Sequence, residues 1–598
     1  MSTVSYLQQA AQSQLARLQL RKLRHPAKAI EAVVGALLKS GPAPADTAAP
    51  QEVLQHVNTL YILLVAQTVA AGLGRSDLAL EIHREVTAQQ RSQARLTPYD
   101  LTTLKTSSEE LAVMILGAAR DTGAETFATG GAVAVLLRDL YEELLALEWT
   151  PSKAIDSAGA LKRTNTRRRQ HGAYYTPLPV ARAIAERTLA PILAGCSTAE
   201  AVLNLRIVDP MMGPGVFLQA GGEVLVARLL ELNPAATADQ LWPQVAADCL
   251  YGVDLDGDAT RIGAIALAFL SGAKVADLHC RPGNSLVGSV RRDVDVPARM
   301  AKQLRALKAA RLVAGPVDET LPEPCLNWAR AFPAVFGGAR EGRPGWNGAR
   351  LTGGFDALLS NPPYVSYYSR DSVKNGAASL EEDFFHHAGI LDAPLPESLR
   401  GRTNLFLLAL FAGEQLLARE AATDRVAGAA GWLLPDTFLS NESYAGWRRY
   451  FLEAARLTAV EWVRGDLFGE PSLGSSVVYF GDARNGTVSV DLHDSTSTPA
   501  SITASRGRPK GKSTKKAPAA ATIAEPTPPR REQFAVAEIL QFPHLVIPTM
   551  PRRTRQLVAR IEAASVPITS WMEVRDGVNP GPRSFRDRIV LAAPDSTD

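Results

Sequence analysis

Gly353-Gly354-Phe355-Asp356-Ala357-Leu358-Leu359-Ser360-Asn361-Pro362-Pro363-Tyr364 decides how the rest of the chain is read. Phe355 to Leu359 is a run of strand length, apolar except for Asp356. The Asn-Pro-Pro that follows ends it abruptly, because proline cannot donate to a sheet ladder. The chain is therefore expected to leave a sheet at Asn361. Two prolines fix φ and bias the residue before them toward extended geometry, which presets the Asn361 amide oxygen and the Pro362 carbonyl as outward acceptors. Two such oxygens can accept both hydrogens of a planar NH2 group while Tyr364 stacks on the heterocycle that carries it. The same residues also suit an ordinary strand-to-loop turn, since Asn-Pro and Pro-Pro are common turn punctuation.

Upstream, Ile207-Val208-Asp209-Pro210-Met211-Met212-Gly213-Pro214-Gly215-Val216-Phe217-Leu218 reads as strand, glycine-rich turn and helix. Glycines let backbone approach a ligand closely, and an acid before them suits an amine or hydroxyl rather than a phosphate. The spacing is not Gly-x-Gly-x-x-Gly and there is no P-loop lysine, so dinucleotide and ATP readings lose ground. Tyr251-Gly252-Val253-Asp254-Leu255-Asp256 is a second strand ending in an acid, suited to two ribose hydroxyls or simply to capping a helix. His279-Cys280-Arg281-Pro282-Gly283-Asn284-Ser285-Leu286 places a polar side chain after a third segment.

At 598 residues the chain exceeds one ordinary domain, and about three or four units are expected. Hydrophobic content of 46% and charged content of 21% are those of a globular protein. A net charge of +3 leaves any nucleic-acid surface to local clustering. Cys196, Cys249, Cys280 and Cys325 are irregularly spaced with no CxxC pair. They read as reduced thiols of a cytoplasmic protein without a zinc site or other metal. The apolar window from Leu60 to Leu73 is interrupted by Gln67 and suits a buried helix rather than a membrane span.

Residues 1–150 read as a helical domain, with no Glu-x-Lys triplet of the kind that places a nuclease metal acid and lysine. Residues 151–484 alternate apolar strands with amphipathic helices, the pattern of a parallel sheet with crossovers. Strands are expected at Arg206–Val208, Leu250–Val253, Phe355–Leu359, Ala430–Leu434 and Ser475–Phe480. Residues 485–530 are rich in Ser, Thr, Ala, Pro and Lys and are expected to be a disordered basic linker. Within it, Arg506-Gly507-Arg508-Pro509-Lys510-Gly511-Lys512 resembles an AT-hook, whose arginines enter an A·T minor groove, but short basic runs are frequent and a solubilising basic linker is the favoured reading. Residues 531–598 resume an ordered pattern, with a helix expected around Arg552 to Ala564.

Taken in order, His171-Gly172-Ala173-Tyr174-Tyr175-Thr176-Pro177, Asp209 to Phe217, Asp254, Asn284 and Asn361 to Tyr364 resemble the motifs of S-adenosylmethionine-dependent adenine-N6 DNA methyltransferases of the gamma class. Gly431 to Leu439 and Phe468 to Val478 resemble the later motifs of that family. The likeness covers about residues 165–482, and in style it is nearest to single-chain restriction-modification enzymes and to phage-defence methylases of BREX and DISARM type. It implies an α/β class I (Rossmann-like) methyltransferase fold, a mixed seven-stranded sheet flanked by helices. A helical N-terminal domain would precede it, and a target-recognition region would begin near Asp576 to Gly581.

The same likeness implies roles for individual residues. Tyr174, Tyr175 and Thr176 would lie near the methionine end of S-adenosylmethionine, with Asp209, Pro210, Gly213, Gly215 and Phe217 along its amino-acid moiety. Asp254 and Leu255 would hold the ribose, and Asn284 with Ser285 would receive the adenine amine. Asn361, Pro362, Pro363 and Tyr364 would be catalytic. Phe468, with Tyr479 as the fallback, would sandwich the extruded base against Tyr364, and Arg506 and Arg508 would add DNA contacts. The implied partners are double-stranded DNA and other subunits of a restriction or defence system, with no membrane. Methylation of RNA or of a protein amide, and a non-catalytic DNA-binding subunit, are the competing readings.

Overall fold

The structure is a computed structural model that describes residues 30, 34, 48–92, 105–113, 126–150, 160–163, 176–296, 325–336, 353–364, 390–391, 393–399, 404–420, 426–454, 456–463, 474–482, 485–493, 530–542 and 545–548. All of these except Pro548 belong to one compact unit ending at Ile547. Tyr174, Tyr175, Phe468, Arg506, Arg508, the helix expected near Arg552 and the segment around Asp576 lie outside the described residues.

β1 (Leu147–Thr150) and β2 (Ala160–Arg163) form a short antiparallel pair. The chain then contributes β3 (Ile207–Asp209), β4 (Leu250–Asp254) and β5 (His279–Pro282) to a large sheet. β6 (Asn284–Ser289) and β7 (Cys325–Asn327) pair with each other. β8 (Ala357–Ser360), β9 (Ala429–Pro435), β10 (Leu457–Val463), β11 (Ser475–Phe480), β12 (Thr487–His493) and β13 (Arg530–Ala535) complete the large sheet. Its order is β13-β12-β10-β11-β9-β8-β3-β4-β5. β9, β8, β3, β4 and β5 run parallel, and β11 runs antiparallel to both β9 and β10.

Among the described residues the large sheet has nine strands, where seven are expected. From β5 to β10 the sheet runs through seven strands of mixed direction, and β12 and β13 extend it past β10. Thr487–His493, expected as linker, is instead a strand parallel to β10. Its Val488, Val490 and Leu492 are buried on one face, and that alternation outweighs the polar composition around it. β13 pairs antiparallel with β12 and so belongs to the sheet rather than to a following domain. Asp491, 1% exposed, receives Arg187 at 2.6 Å from the Leu178–Ala194 helix and a two-pronged contact from Arg531 at 2.8 and 3.0 Å.

Both faces of the sheet are covered, so neighbouring residues of one strand enter different cores. Ala357 and Leu359 join the core beneath the Leu178–Ala194, Val216–Leu232 and Gly257–Ser271 helices. Leu358 joins the other core with Trp432, Leu434 and the Leu405–Leu416 helix. From Phe406 to Gly413 that helix is apolar all round because every residue there is buried.

The Ala48–Gly72 helix is long and apolar enough to cross a membrane, yet 72% of its apolar window is buried inside the fold. It packs with the Ser76–Ser92 and Thr126–Leu145 helices against Gly257–Ser271. Gly130 is a close-approach position there: an added Cβ would sit 2.2 Å from the Phe269 carbonyl oxygen. Arg75 donates to the Ala268 and Phe269 carbonyls at 3.0 and 3.1 Å, which satisfies acceptors at that helix's C-terminal end. Cys196, Cys249 and Cys280 are buried free thiols.

Candidate active site

From β3 the chain proceeds to β4 and β5 on one side of the sheet, and later to β8 and β9 on the other. Such a reversal leaves a crevice at the carboxyl ends of the strands flanking it, here β3 and β8. Asp209 ends β3, Asp254 ends β4, and Ser360 ends β8 immediately before Asn361.

The turn after β3 is shaped by two left-handed residues, Gly213 at φ +48° and Gly215 at φ +86°. A Cβ on Gly213 would meet nothing within 4 Å, so its surroundings are open and its backbone conformation is what selects glycine. Gly215 precedes the Val216–Leu232 helix, whose N-terminus therefore points at the crevice. Met212 N–H donates to the Val253 carbonyl at 2.9 Å, and Gly213 N–H donates to Asp254 Oδ2 at 2.8 Å. The second acid thus braces the first turn.

Asp209 is 1% exposed. Its Oδ1 accepts from Met211 N–H at 3.1 Å and from the Ser360 hydroxyl at 2.7 Å, while Oδ2 is buried with no hydrogen-bond partner among the described residues. Burial pushes this carboxyl up to about 7, against the pull of the Ser360 hydroxyl and the Met211 amide, with Asp254 adding a like charge. Burial also pushes Asp254 up to about 6, opposed by the Asp256 and Gly213 amides. Two acids at adjacent strand ends, one with an oxygen lacking a donor, make a site that is short of positive charge and of hydrogen-bond donors.

At the end of β8, the Asn361 amide nitrogen donates to Thr176 Oγ1 at 3.0 Å. Thr176 is 3% exposed, so this bond fixes the amide and, by the geometry of a carboxamide, directs Oδ1 the opposite way. Pro362 is buried, while Pro363 and Tyr364 are half-buried. The Tyr364 hydroxyl donates to the Leu433 carbonyl of β9 at 3.1 Å, and its ring meets Phe406 edge-on at 6.4 Å. The aromatic plane is therefore set from both ends.

Residues 248–462 match the Eco57I restriction-modification methylase family. The matched span holds Asp254 and Asn361-Pro362-Pro363-Tyr364 but not the turn after Asp209. Among solved structures, the chain is similar to that of a DrdV-DNA complex, with 13% identity, 82% of this chain and 41% of that chain covered, and a TM-score of 0.41. It is similar to a modification subunit of a putative type I restriction enzyme from Vibrio vulnificus YJ016, with 13% identity, 79% and 85% covered, and a TM-score of 0.38. It is also similar to a chain of a type I R-M system assembly, with 13% identity, 91% and 96% covered, and a TM-score of 0.39. No curated protein matches it.

Several expected site residues sit differently from their expected roles. Asn284 Oδ1 accepts from the Leu286 and Val287 amides at 3.0 and 3.2 Å. An oxygen with both lone pairs committed to a turn does not serve as the acceptor for an incoming amine, a competition that favours asparagine in turns generally. Phe217, 2% exposed, is a core side chain. Tyr479 cannot be the fallback stacking ring: it is 4% exposed, pairs with Gly431 within the sheet, lies under the Arg187 guanidinium at 4.6 Å, and donates to Glu461 at 2.9 Å. Ser285 donates its hydroxyl to the Pro210 carbonyl and so ties β6 to the glycine turn. Leu255, 58% exposed, is an apolar side chain left uncovered beside Asp254.

Three contributors carried weaker signals in the sequence. Ser360 looks like the last residue of a strand, yet it joins Asn361 to Asp209. Asp256 caps the Gly257–Ser271 helix and donates its own N–H to Asp254 Oδ1 at 2.8 Å; an acid just before a helix is the visible trace of that role. Tyr141 reaches Asp256 from the N-terminal helices, a contact with no local signature.

Proposed function

We propose that this chain is an S-adenosylmethionine-dependent DNA methyltransferase acting on the N6 amine of adenine. It would serve as the modification component of a restriction-modification or phage-defence system, alone or with other subunits. The observation that carries this reading is the fixed Asn361 amide at the end of β8, one residue from the hydroxyl bonded to Asp209.

The residues present fit the cofactor. The buried Asp209 Oδ2 suits an ammonium group, the Gly213–Gly215 turn admits close approach, Asp254 keeps lone pairs for ribose hydroxyls, and exposed Leu255 offers an apolar edge to a purine. When bound, S-adenosylmethionine supplies an electrophilic methyl group on a sulfonium. The work of this chain lies on the acceptor side. Adenine's exocyclic nitrogen is a poor nucleophile because its lone pair is delocalised into the ring. Asn361 Oδ1 and the Pro362 carbonyl accept its two hydrogens, which favours tetrahedral geometry and stabilises positive charge that develops only as the bond forms. No strong base is required, because the proton leaves after the nitrogen has become cationic.

A base inside a duplex is out of reach, so the adenine is flipped out at a cost of a few kcal/mol, and stacking on Tyr364 offsets part of it. The Tyr364 ring, held by Leu433 and Phe406, presents its face without further ordering. The test is transfer of labelled methyl from S-adenosylmethionine to double-stranded DNA by the full chain, followed by sequencing for modified adenines. Label appearing only in RNA, only in protein, or on cytosine refutes the assignment.

A further inference from the structure

Ser360 is fully buried, and its hydroxyl proton goes to Asp209 Oδ1 at 2.7 Å. Its backbone continues directly into Asn361, whose amide is pinned to Thr176. One residue therefore touches the acid on the β3 side of the crevice and positions the amide on the β8 side. Apart from the Met211 amide, it is the only donor seen on the Asp209 carboxylate among the described residues. We infer that Ser360 is a positioning residue that holds Asp209 oriented toward the amino-acid end of the cofactor and locks that acid into one hydrogen-bonded frame with Asn361. The inference rests on the cofactor reading given above.

The geometry makes the role one-sided. With Oδ1 occupied by Ser360 and Met211, the carboxylate cannot rotate without breaking two bonds, so Oδ2 stays presented as the acceptor. A hydrogen bond also favours the ionised form of a carboxyl that burial otherwise disfavours. Ser360→Ala removes that bond, adds no bulk, and leaves the charge count unchanged. Its effect should appear only for a ligand that carries the amino-acid group.

The test is equilibrium binding by calorimetry of two probes to the full chain, S-adenosylhomocysteine and 5′-methylthioadenosine, which shares the nucleoside but lacks the amino acid. Ser360→Ala is expected to weaken S-adenosylhomocysteine about ten-fold, the scale of a lost hydrogen bond to a charged group. Methylthioadenosine should change less than about two-fold, since only the nucleoside end is shared. Ser360→Thr, which keeps the hydroxyl, should restore most of the loss, and the melting temperature of Ser360→Ala should stay near that of wild type. Equal weakening of both probes, or of neither, overturns the inference. A wild-type chain that takes neither probe overturns the cofactor reading and the inference with it.

Discussion

The Tyr141 hydroxyl donates to Asp256 Oδ2 at 2.8 Å, joining the Thr126–Leu145 helix to the turn that follows β4. Asp256 Oδ1 meanwhile caps the next helix through the Asp258 and Ala259 amides, and the Asp256 N–H braces Asp254. Thr59 donates to Asp258 at 2.8 Å in the same turn. The helices before residue 150 are thus part of the wall of the candidate site.

Tyr141→Phe removes one oxygen from this arrangement and leaves Asp256 short of a donor. About 1–2 kcal/mol of support for the turn should be lost, which corresponds to a cofactor dissociation constant roughly 5- to 30-fold higher. Binding measured beside a thermal melt checks it. An unchanged dissociation constant would detach the N-terminal helices from cofactor binding.

Asn361→Ala should abolish methyl transfer, lowering the rate at saturating cofactor by about 10²-fold or more, the usual scale for losing one preorganised acceptor or donor at a reacting atom. Cofactor affinity should change little, because the Asn361 amide donates to Thr176 while the glycine turn is braced by Asp254. Single-turnover transfer and separate binding titrations distinguish the two effects. Equal turnover in variant and wild type removes Asn361 from the chemistry.

Asp209 sets a pH dependence of stability. Its folded-state value lies near 7, above the unfolded carboxyl value of 3.8, because it is buried. A raised carboxyl contributes fully below the unfolded value, and that contribution is lost as pH rises toward the folded value. Over about three units this amounts to at most roughly 4 kcal/mol. Asp209→Asn should therefore melt near wild type at pH 4 and progressively above it toward pH 8. Melting curves across that range, without cofactor, give the difference directly; a gap that stays constant with pH would contradict it.

The large sheet was largely legible because its central strands are short apolar runs closed by strong punctuation. Asn361-Pro362-Pro363 after β8 and Asp209-Pro210 after β3 mark strand ends by backbone chemistry alone. β12 was hidden by its neighbourhood: Val488, Val490 and Leu492 alternate as a half-buried strand does, but inside a polar stretch whose composition points the other way. The turn bonds that Asn284 accepts are invisible until the backbone is placed. Tyr141 and Ser360 act through partners 115 and 151 residues away, which no periodicity encodes.

Asp491→Ala should show how firmly the two added strands are held. It would leave Arg187 and Arg531 without their shared acceptor beside the Leu178–Ala194 helix. Arg187 keeps Glu461 and the Arg531 side chain is 62% exposed, so solvent screens much of the loss, which should be about 1 kcal/mol. A drop in melting temperature with cofactor affinity unchanged is the expected result, since Asp491 lies on β12, well along the sheet order from β3 and β4.

β12 and β13 lie side by side, with Leu492 opposite Arg530, so residues 494–529 depart from and return to neighbouring points of one ladder. Arg506 to Lys512 lie in the sequence between those two strands. Doubling the length of such a span costs only about 0.6 kcal/mol in closure entropy. The register of β12 and β13 is accordingly set by their own pairing, whatever length of chain joins them.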